Sequence, residues 1–468
     1  MSSISPYQRL TLLQRIGLGF GGIPDLGMQF ILGMCAPIFN VIWGVSPVLI
    51  GVALALPRLW EVIIDPWIGR ISDRTRGKLG RRHPYILAGG ILGGLTSAWV
   101  WWVPLGWSIS AKGYWLIIMA MLHYTAFSIF FVPYSALLGE VTSDPIERTR
   151  LMTMRSIFTT LCGFALAWLY WLCQRPFFGD VVNGIRIVGI FFGLLMAFSA
   201  VITTLVCPRS RDFHSHDKPS SEAGGQWAIF KEIMAVKEFR GLLLAVLGMM
   251  GSFGVIGNLG FYISVYFVFA GNTSASALRD GIVGVVGTVM GLIGAPLVSY
   301  CAGKFGRWQT FRVCIVLAVL SCIASWWSNR PDNPYAAVYF GILGGLGGTA
   351  FWIFMPALTG EISERYEKRT GRSLFGSFYA FYGIAIKLSG SISSLFTGVV
   401  LNATGFTLKL GAHQTPGTFT AMRVLSIVFP VMAYSTAYLA LKGVWRAMSP
   451  PETDAEELAL EAKLGLSK

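Results

Sequence analysis

The sequence predicts an all-α membrane protein of twelve transmembrane helices in two six-helix halves. Three observations carry that prediction. The composition is apolar: 54% of 468 residues are hydrophobic, only 13% are charged, and mean hydropathy is +0.60. An average soluble chain carries about twice that charged fraction. Twelve apolar stretches are each close to the roughly 20 residues needed to span a bilayer. An internal repeat then pairs the second span with the eighth and the fourth with the tenth.

The spans are expected at 15–41, 47–71, 84–105, 114–140, 150–173 and 185–207, then at 241–270, 281–303, 311–328, 334–362, 373–401 and 421–447. This divides the chain into an N-terminal bundle (1–207), a polar cytoplasmic linker (208–240), a C-terminal bundle (241–447) and a short acidic tail (448–468), which reads as an amphipathic helix. The first apolar run holds Gln14, Arg15 and Asp25 and lacks a small-residue cleavage site, so it reads as a span and not a signal peptide. Seven scattered Cys without a C-x-x-C pair read as free thiols packed as small hydrophobes.

Net charge is +14, but the basic residues lie in short loops between apolar runs, which argues against nucleic-acid binding. The loop after span two carries Arg70, Arg74, Arg76, Lys78, Arg81 and Arg82, and later loops on the same side follow suit. Opposite loops hold few cations, such as Lys112, Arg279 and Arg330. By the positive-inside rule both termini are expected in the cytoplasm.

The repeat is explicit. Ala136-Leu-Leu-Gly-Glu140 matches Ala357-Leu-Thr-Gly-Glu361, and Gly77-Lys-Leu-Gly-Arg81 matches Gly303-Lys-Phe-Gly-Arg307. Two parallel six-helix repeats with a site at the midplane between them form the major-facilitator arrangement. The repeat also exposes an asymmetry, because Asp65-Pro66 of span two faces Ala295-Pro296 of span eight and Glu61 has no acidic counterpart. A purely structural role for these acids would be open to both halves, so their one-sided presence favours function.

Charges inside spans cost roughly 2.5–3.5 kcal/mol each on insertion scales, and those retained mark ion or substrate paths. Glu61 and Asp65 stack on one helix face, with Arg58 a turn earlier. Two carboxylates this close in low dielectric require that one be protonated or that a cation lie between them. Pro66 leaves the Val62 carbonyl without its helical donor, adding an oxygen suited to a hard cation such as Na+. The alternative is an Arg58–Glu61/Asp65 ion network that pins helices. Asp25 follows Gly21, Gly22 and Pro24, which loosen span one as at broken helices beside binding sites. It is a candidate acceptor for substrate hydroxyls or a partner for a buried cation. Arg155 and Lys387 are deep cations, one per half; Lys387 is expected to face Asp65 or Glu61 and to sense cation binding. Tyr124, Tyr134, Trp352, Tyr379 and Tyr382 are candidates for stacking on a sugar ring, with Tyr134 and Tyr382 placed in the substrate set. His123 reads as a satisfied interior histidine. Asp73, Arg74, Arg81, Glu140, Arg148 and Glu361 form a candidate charged latch whose ion pairs engage the far half in one state. No H-E-x-x-H, G-x-S-x-G or Walker A motif is present, so neither hydrolysis nor ATP use is expected and the driving force is an ion gradient.

The run Arg58-Leu-Trp60-Glu61-Val-Ile-Ile-Asp65-Pro66, followed by Gly69 to Arg82, resembles the glycoside–pentoside–hexuronide:cation symporters, the melibiose-permease relatives of the major facilitator superfamily. Pro133-Tyr134-Ser135-Ala136-Leu137, Glu147-Arg148, Arg155 and Lys387 extend the resemblance along the chain. It implies that Glu61 and Asp65 hold the cation, with Ser128 as a hydroxyl ligand. It implies that Asp25 and Arg155 contact sugar, that Lys387 couples the two sites, and that the ion is Na+ or H+. Glu61 stands where melibiose permease has Asp, a change toward H+. Phe131 stands where the galactoside-binding Asp of span four falls, which argues against a galactoside. The loop after span ten is also altered, with Arg372-Ser-Leu in place of a basic pair followed by Glu.

The expected function is a cation-coupled symporter that imports a sugar, glycoside or hexuronide by alternating access, without a bound cofactor. Arg155 and Lys387 make an anionic hexuronide one candidate cargo. The expected setting is a bacterial inner membrane, with lipid and a carbohydrate as partners and a monomer as the working unit. One rival is a lysophospholipid symporter with an acyl cleft at Phe127 and Phe131; another is a non-transporting sensor or scaffold on the same fold.

Overall fold

The computed structural model describes residues 10–77, 79–104, 106–142, 145–207, 226–372 and 374–448. The Arg148 side chain, Lys78, residues 208–225 of the predicted linker and the predicted tail helix beyond 448 lie outside them. The described residues are helical throughout, without strands. Span one is divided into α1 (Leu12–Phe20), α2 (Pro24–Cys35) and a π-helical turn (Ala36–Ile42). There follow α3 (Pro47–Arg74), α4 (His83–Trp99), α5 (Ile109–Glu140), α6 (Pro145–Cys173) and α7 (Val181–Val206). A short helix, α8 (Gln226–Ala235), precedes α9 (Lys237–Tyr262), which again ends in a π-helical turn (Ile263–Val268). The chain closes with α10 (Thr273–Phe305), α11 (Arg307–Ser328), α12 (Ala337–Thr370), α13 (Phe375–Ala403) and α14 (Pro416–Met448).

Ten of these segments are long and apolar enough to cross a membrane; the other two predicted spans are the divided first one and the 17-residue α4. Side-chain caps start several helices. Ser46, Ser108, Asp180 and Asn272 each accept from the backbone N–H three residues on, satisfying a donor that the first helical turn leaves free. Pro57, Pro66, Pro133, Pro296 and Pro356 lie inside helices that continue through them.

Two expectations need correction. The linker is not only a polar connector, because α8 buries Ile229 and Ile233 in the core of the C-terminal bundle, and Glu232 accepts from Tyr366 and, at 3.0 Å, from Arg372. The eighth span begins at Thr273, eight residues before its predicted start, so Arg279 and Asp280 lie within a helix and not in a loop. The Asn272 cap explains the earlier start.

The two halves meet along two seams, α3 with α13 and α6 with α10. On the first, Ser391 donates to the Ala55 carbonyl at 3.2 Å. A Cβ at Gly51 would lie 2.7 Å from the Ser394 carbonyl oxygen, and one at Gly398 would lie 2.8 Å from that of Pro47. Only glycine permits this backbone approach. On the second seam, Thr273 donates to Gln174 and Arg175 donates to Ser274, each at 2.9 Å. A Cβ at Gly281 would lie 2.9 Å from the Trp168 ring. Both sets of contacts lie toward the end of the bundle where α3 begins and α13 ends, and they close it.

Candidate functional site

A cavity of about 810 Å³ lies between the halves. Its N-terminal wall includes Asp25, Arg155 and Thr159, and its C-terminal wall includes Phe253, Gly291 and Trp352. The break in span one builds the first wall. Gly21 lets the Tyr134 ring pass where a Cβ would clash at 2.1 Å, and Gly22 lies against Arg155 and Thr159. The Tyr134 hydroxyl donates to the Leu18 carbonyl at 2.6 Å, satisfying an acceptor at the end of α1. Asp25, in the first turn of α2, pairs with Arg155 of α6. The Arg155 guanidinium lies 5.8 Å from the ring centres of both Phe131 and Tyr134. Asp25 Oδ1 and Arg155 Nε are buried and make no hydrogen bond, so the ion pair keeps one acceptor and one donor uncommitted.

The second constellation lies on the α3–α13 seam. Lys387 of α13 is hydrogen-bonded to Asp65 Oδ2, and its Nζ lies 3.5 Å from Glu61 Oε2. Glu61 is almost fully buried, with its side chain 1% exposed, while Asp65 and Lys387 are each 25% exposed. Arg58 packs over Gly390, where a Cβ would meet its Nη1 at 2.1 Å. Glu61 Oε1, Asp65 Oδ1 and the Ser128 hydroxyl are buried without a hydrogen bond. Trp60 donates to Thr125 at 3.0 Å, which ties α3 to α5 one residue before Glu61. Two uncommitted carboxylate oxygens beside an ammonium group suit exchange of that ammonium for Na+ or a proton. Among the described residues no group of three or more His, Cys, Asp or Glu could hold a metal ion, so Na+ would be held here by two carboxylates and neutral oxygens.

The structure therefore brings Glu61, Asp65 and Lys387 together, and Asp25 with Arg155. It does not bring the substrate tyrosines to the cavity. Tyr134 seals the break in span one. Tyr382 is buried in the C-terminal core, with its ring 6.4 Å from that of Tyr379, whose hydroxyl donates to the Pro356 carbonyl. Of the five candidate aromatics, Trp352 lines the cavity. Phe127 and Phe131, proposed to line an acyl cleft, stack on each other with centroids 5.2 Å apart and are absent from the cavity wall. His123 shares a hydrogen bond with Thr96 at 3.0 Å.

In this conformation the latch residues pair within halves. Arg82 bridges Asp73 (2.5 Å) and Glu140 (2.7 Å), Arg81 lies 2.9 Å from Glu140, and Arg74 is exposed. Arg307 pairs with Glu361 at the equivalent place in the other half. Each pair links the ends of neighbouring helices in one bundle, so the end of the molecule opposite the seams carries no ion pair between halves among the described residues.

Sequence reasoning missed a further buried network in α10. Arg279 bonds Asp280 (2.8 Å), Ser264 (3.2 Å), Asn329 and the Pro334 carbonyl (3.1 Å). The signal was the helix cap at Asn272, which places both charges inside the helix.

The family model described as MFS/sugar transport protein matches residues 17–441. The glucuronide carrier protein homolog of Escherichia coli K12 is 22% identical, covering 90% of each chain. The putative glycoside/cation symporter YagG of the same organism is 22% identical over 92% of each chain. Among solved structures, a bacterial homologue of the human lysosomal transporter Spinster in an inward-facing, unoccupied conformation matches with TM-score 0.69 at 16% identity, covering 94% of this chain and 98% of that one. The last likeness speaks for the fold. The repeated halves, the span-two motif and a family match over nearly the whole length lead to one assignment: the chain belongs to the MFS/sugar transport family, in its glycoside–pentoside–hexuronide symporter branch.

Proposed function

We propose that this protein is a symporter that imports a sugar or glycoside with Na+ or H+ by alternating access. The observation that carries the reading is Lys387, which crosses from one half to two carboxylates of the other on a seam that must open during transport. A cation bound by Glu61 and Asp65 replaces the ammonium group, releases α13 from α3, and so makes the seam's stability depend on the ion. The helix between the sites supports coupling: Thr125 of α5 accepts from Trp60, next to Glu61, while Phe131 and Tyr134 of the same helix lie beneath Arg155. In this reading the open end, which carries the basic loops, and both termini face the cytoplasm of a bacterial inner membrane, with the closed seams outside. The working unit is a monomer, no cofactor beyond the coupling ion is needed, and no chemistry is performed on the cargo.

The test is uptake into reconstituted vesicles of neutral glycosides, glucuronides and a lysolipid, under a Na+ gradient, a pH gradient or neither. Accumulation of a sugar class under one gradient, abolished by Asp65→Asn, is the expected result. Gradient-driven accumulation that survives Asp65→Asn overturns the coupling role. Lysolipid movement without sugar uptake overturns the cargo, and binding without accumulation favours a sensor.

A further inference from the structure

We infer that a groove on the outer surface of the C-terminal bundle holds an anionic phospholipid, with an acyl chain in the groove and the phosphate against Lys304 and Arg312. The groove has a volume of about 540 Å³, lies between α10 and α11, and shares no lining residue with the central cavity. Leu297 and Cys301 of α10, Val313 and Leu317 of α11 and Leu346 of α12 wall it, and buried Cys314 forms its floor. Leu297, Phe305 and Val313 are exposed, so the groove opens toward the surrounding lipid. From Leu297 to Phe305 α10 advances about 12 Å at 1.5 Å per residue, which keeps the groove within the roughly 15 Å depth of one leaflet. An apolar groove in hydrocarbon forfeits dispersion contacts unless something fills it, and a lipid chain is the neighbour that can. Thr310, one of its few polar residues, donates to the Gly306 carbonyl at 3.0 Å, so its hydroxyl proton is already spent.

The mouth of the groove selects the headgroup. Gly306 alone joins α10 to α11, with φ +86°, a conformation that favours glycine, and this tight turn keeps the ends of both helices at one rim. Lys304 lies 5.4 Å from the centre of the Phe305 ring, and Arg312 donates to Gln309 at 3.3 Å; Phe305 and Gln309 both line the groove. Lys304 and Arg312 are exposed, and among the described residues neither makes an ion pair, whereas Arg307 is taken by Glu361. The sequence holds no Asp or Glu from Gly281 to Pro331, so the walls contributed by α10 and α11 carry no acid. The N-terminal copy of this turn is built differently: Arg81 and Arg82 share Glu140, and Arg82 also reaches Asp73. The C-terminal copy thus leaves two cations free at headgroup depth. A zwitterionic headgroup meets that field with no net charge, and an anionic one meets it with a full charge.

The experiment is native mass spectrometry of the purified full chain, delipidated and then titrated with dioleoylphosphatidylglycerol or dioleoylphosphatidylcholine. The tightest binding step should favour the phosphatidylglycerol at least about tenfold. Lys304→Gln and Arg312→Gln change exposed side chains outside any ion pair. Each should weaken phosphatidylglycerol binding about fivefold, the worth of one basic residue near a charged membrane surface, and leave phosphatidylcholine unchanged. Cys301→Phe places a ring in the groove without altering charge and should weaken both lipids. Thermal unfolding without lipid shows whether each variant keeps its fold; should Cys301→Phe lose it, the two charge variants decide alone. Equal affinity for the two lipids, or a preference that survives Lys304→Gln and Arg312→Gln combined, shows an ordinary boundary lipid and overturns the inference.

Discussion

The two halves share their frame and differ in their chemistry. Each first helix ends in a π-helical turn, at Ala36–Ile42 and Ile263–Val268. Each fourth span runs through a proline, Pro133 and Pro356, and each has an Arg–Glu pair at its end, Arg82–Glu140 and Arg307–Glu361. Inside the membrane the likeness stops. The N-terminal half holds Asp25, Glu61, Asp65 and Arg155; the C-terminal half answers with Lys387 and a wall of glycines, and Ala295 stands where the repeat places Asp65. What repeats is what folds each bundle. What is one-sided gathers where the bundles meet, and there each half supplies what the other lacks.

The sharpest way to break that complementarity is to remove the cation that the C-terminal half contributes to the α3–α13 seam. Lys387→Ala leaves Glu61 buried and unpaired beside Asp65. Accumulation should fall at least about 100-fold, and unfolding without Na+ should come earlier by up to about 3 kcal/mol, the low end for breaking a buried pair because two of the three groups are 25% exposed. Thermal unfolding with and without Na+ checks this; a variant as stable and as active as the parent would show that the carboxylates do not depend on Lys387. On the N-terminal wall, Asp25→Asn strands Arg155, and glycoside affinity should drop about 10- to 100-fold, as for loss of one partner of a buried hydrogen-bonded charge pair. Calorimetric titration reads that loss, and Arg155→Lys should not rescue binding, because an ammonium group lacks the planar fork.

The frame itself can be biased without touching a charge. Gly51→Leu places a Cβ against the Ser394 backbone carbonyl, which has no rotamer to escape by. Overpacking of this kind costs about 1–3 kcal/mol, so the closed seam should lose population about 5- to 150-fold. Alkylation of a Ser394→Cys reporter, now buried, should speed up by a similar factor. The smallest expected effect separates a seal from a substrate contact. Tyr134→Phe should cost about 0.5–1.5 kcal/mol of stability through the lost bond to Leu18 and leave glycoside affinity unchanged. Tyr382→Phe should leave affinity unchanged as well. A marked loss of affinity in either would restore the tyrosines to the binding set.

Much of this was legible in the residues. Insertion energetics and the 20-residue span length mark the apolar runs, and the 3.6-residue period puts Glu61 and Asp65 on one face of α3. The repeated Gly-Lys-x-Gly-Arg and Ala-Leu-x-Gly-Glu segments show two halves, and one-sided acids show where the halves differ. The misreadings share one cause. Tyr134 and Tyr382 lie in the right helices, but which way an aromatic faces depends on neighbours distant in the chain, and a carbonyl freed by the break in span one captured the first. The latch residues lie at helix ends, and in this conformation their partners are the nearest helices of the same bundle. Arg279 reads as a loop cation, whereas the Asn272 cap carries it and Asp280 into α10.

By itself the sequence determined where helices run, which residues share a face and which charges are too costly to be idle, because these follow from local geometry and from transfer to lipid. The tertiary structure decided the partners: Lys387 against carboxylates 322 residues away, and Arg155 against an aspartate 130 residues away. Those choices occupy both deep cations with carboxylates of this chain. A charge in low dielectric takes the nearest opposite charge that packing allows, and nearness across a membrane bundle is set by how helices cross.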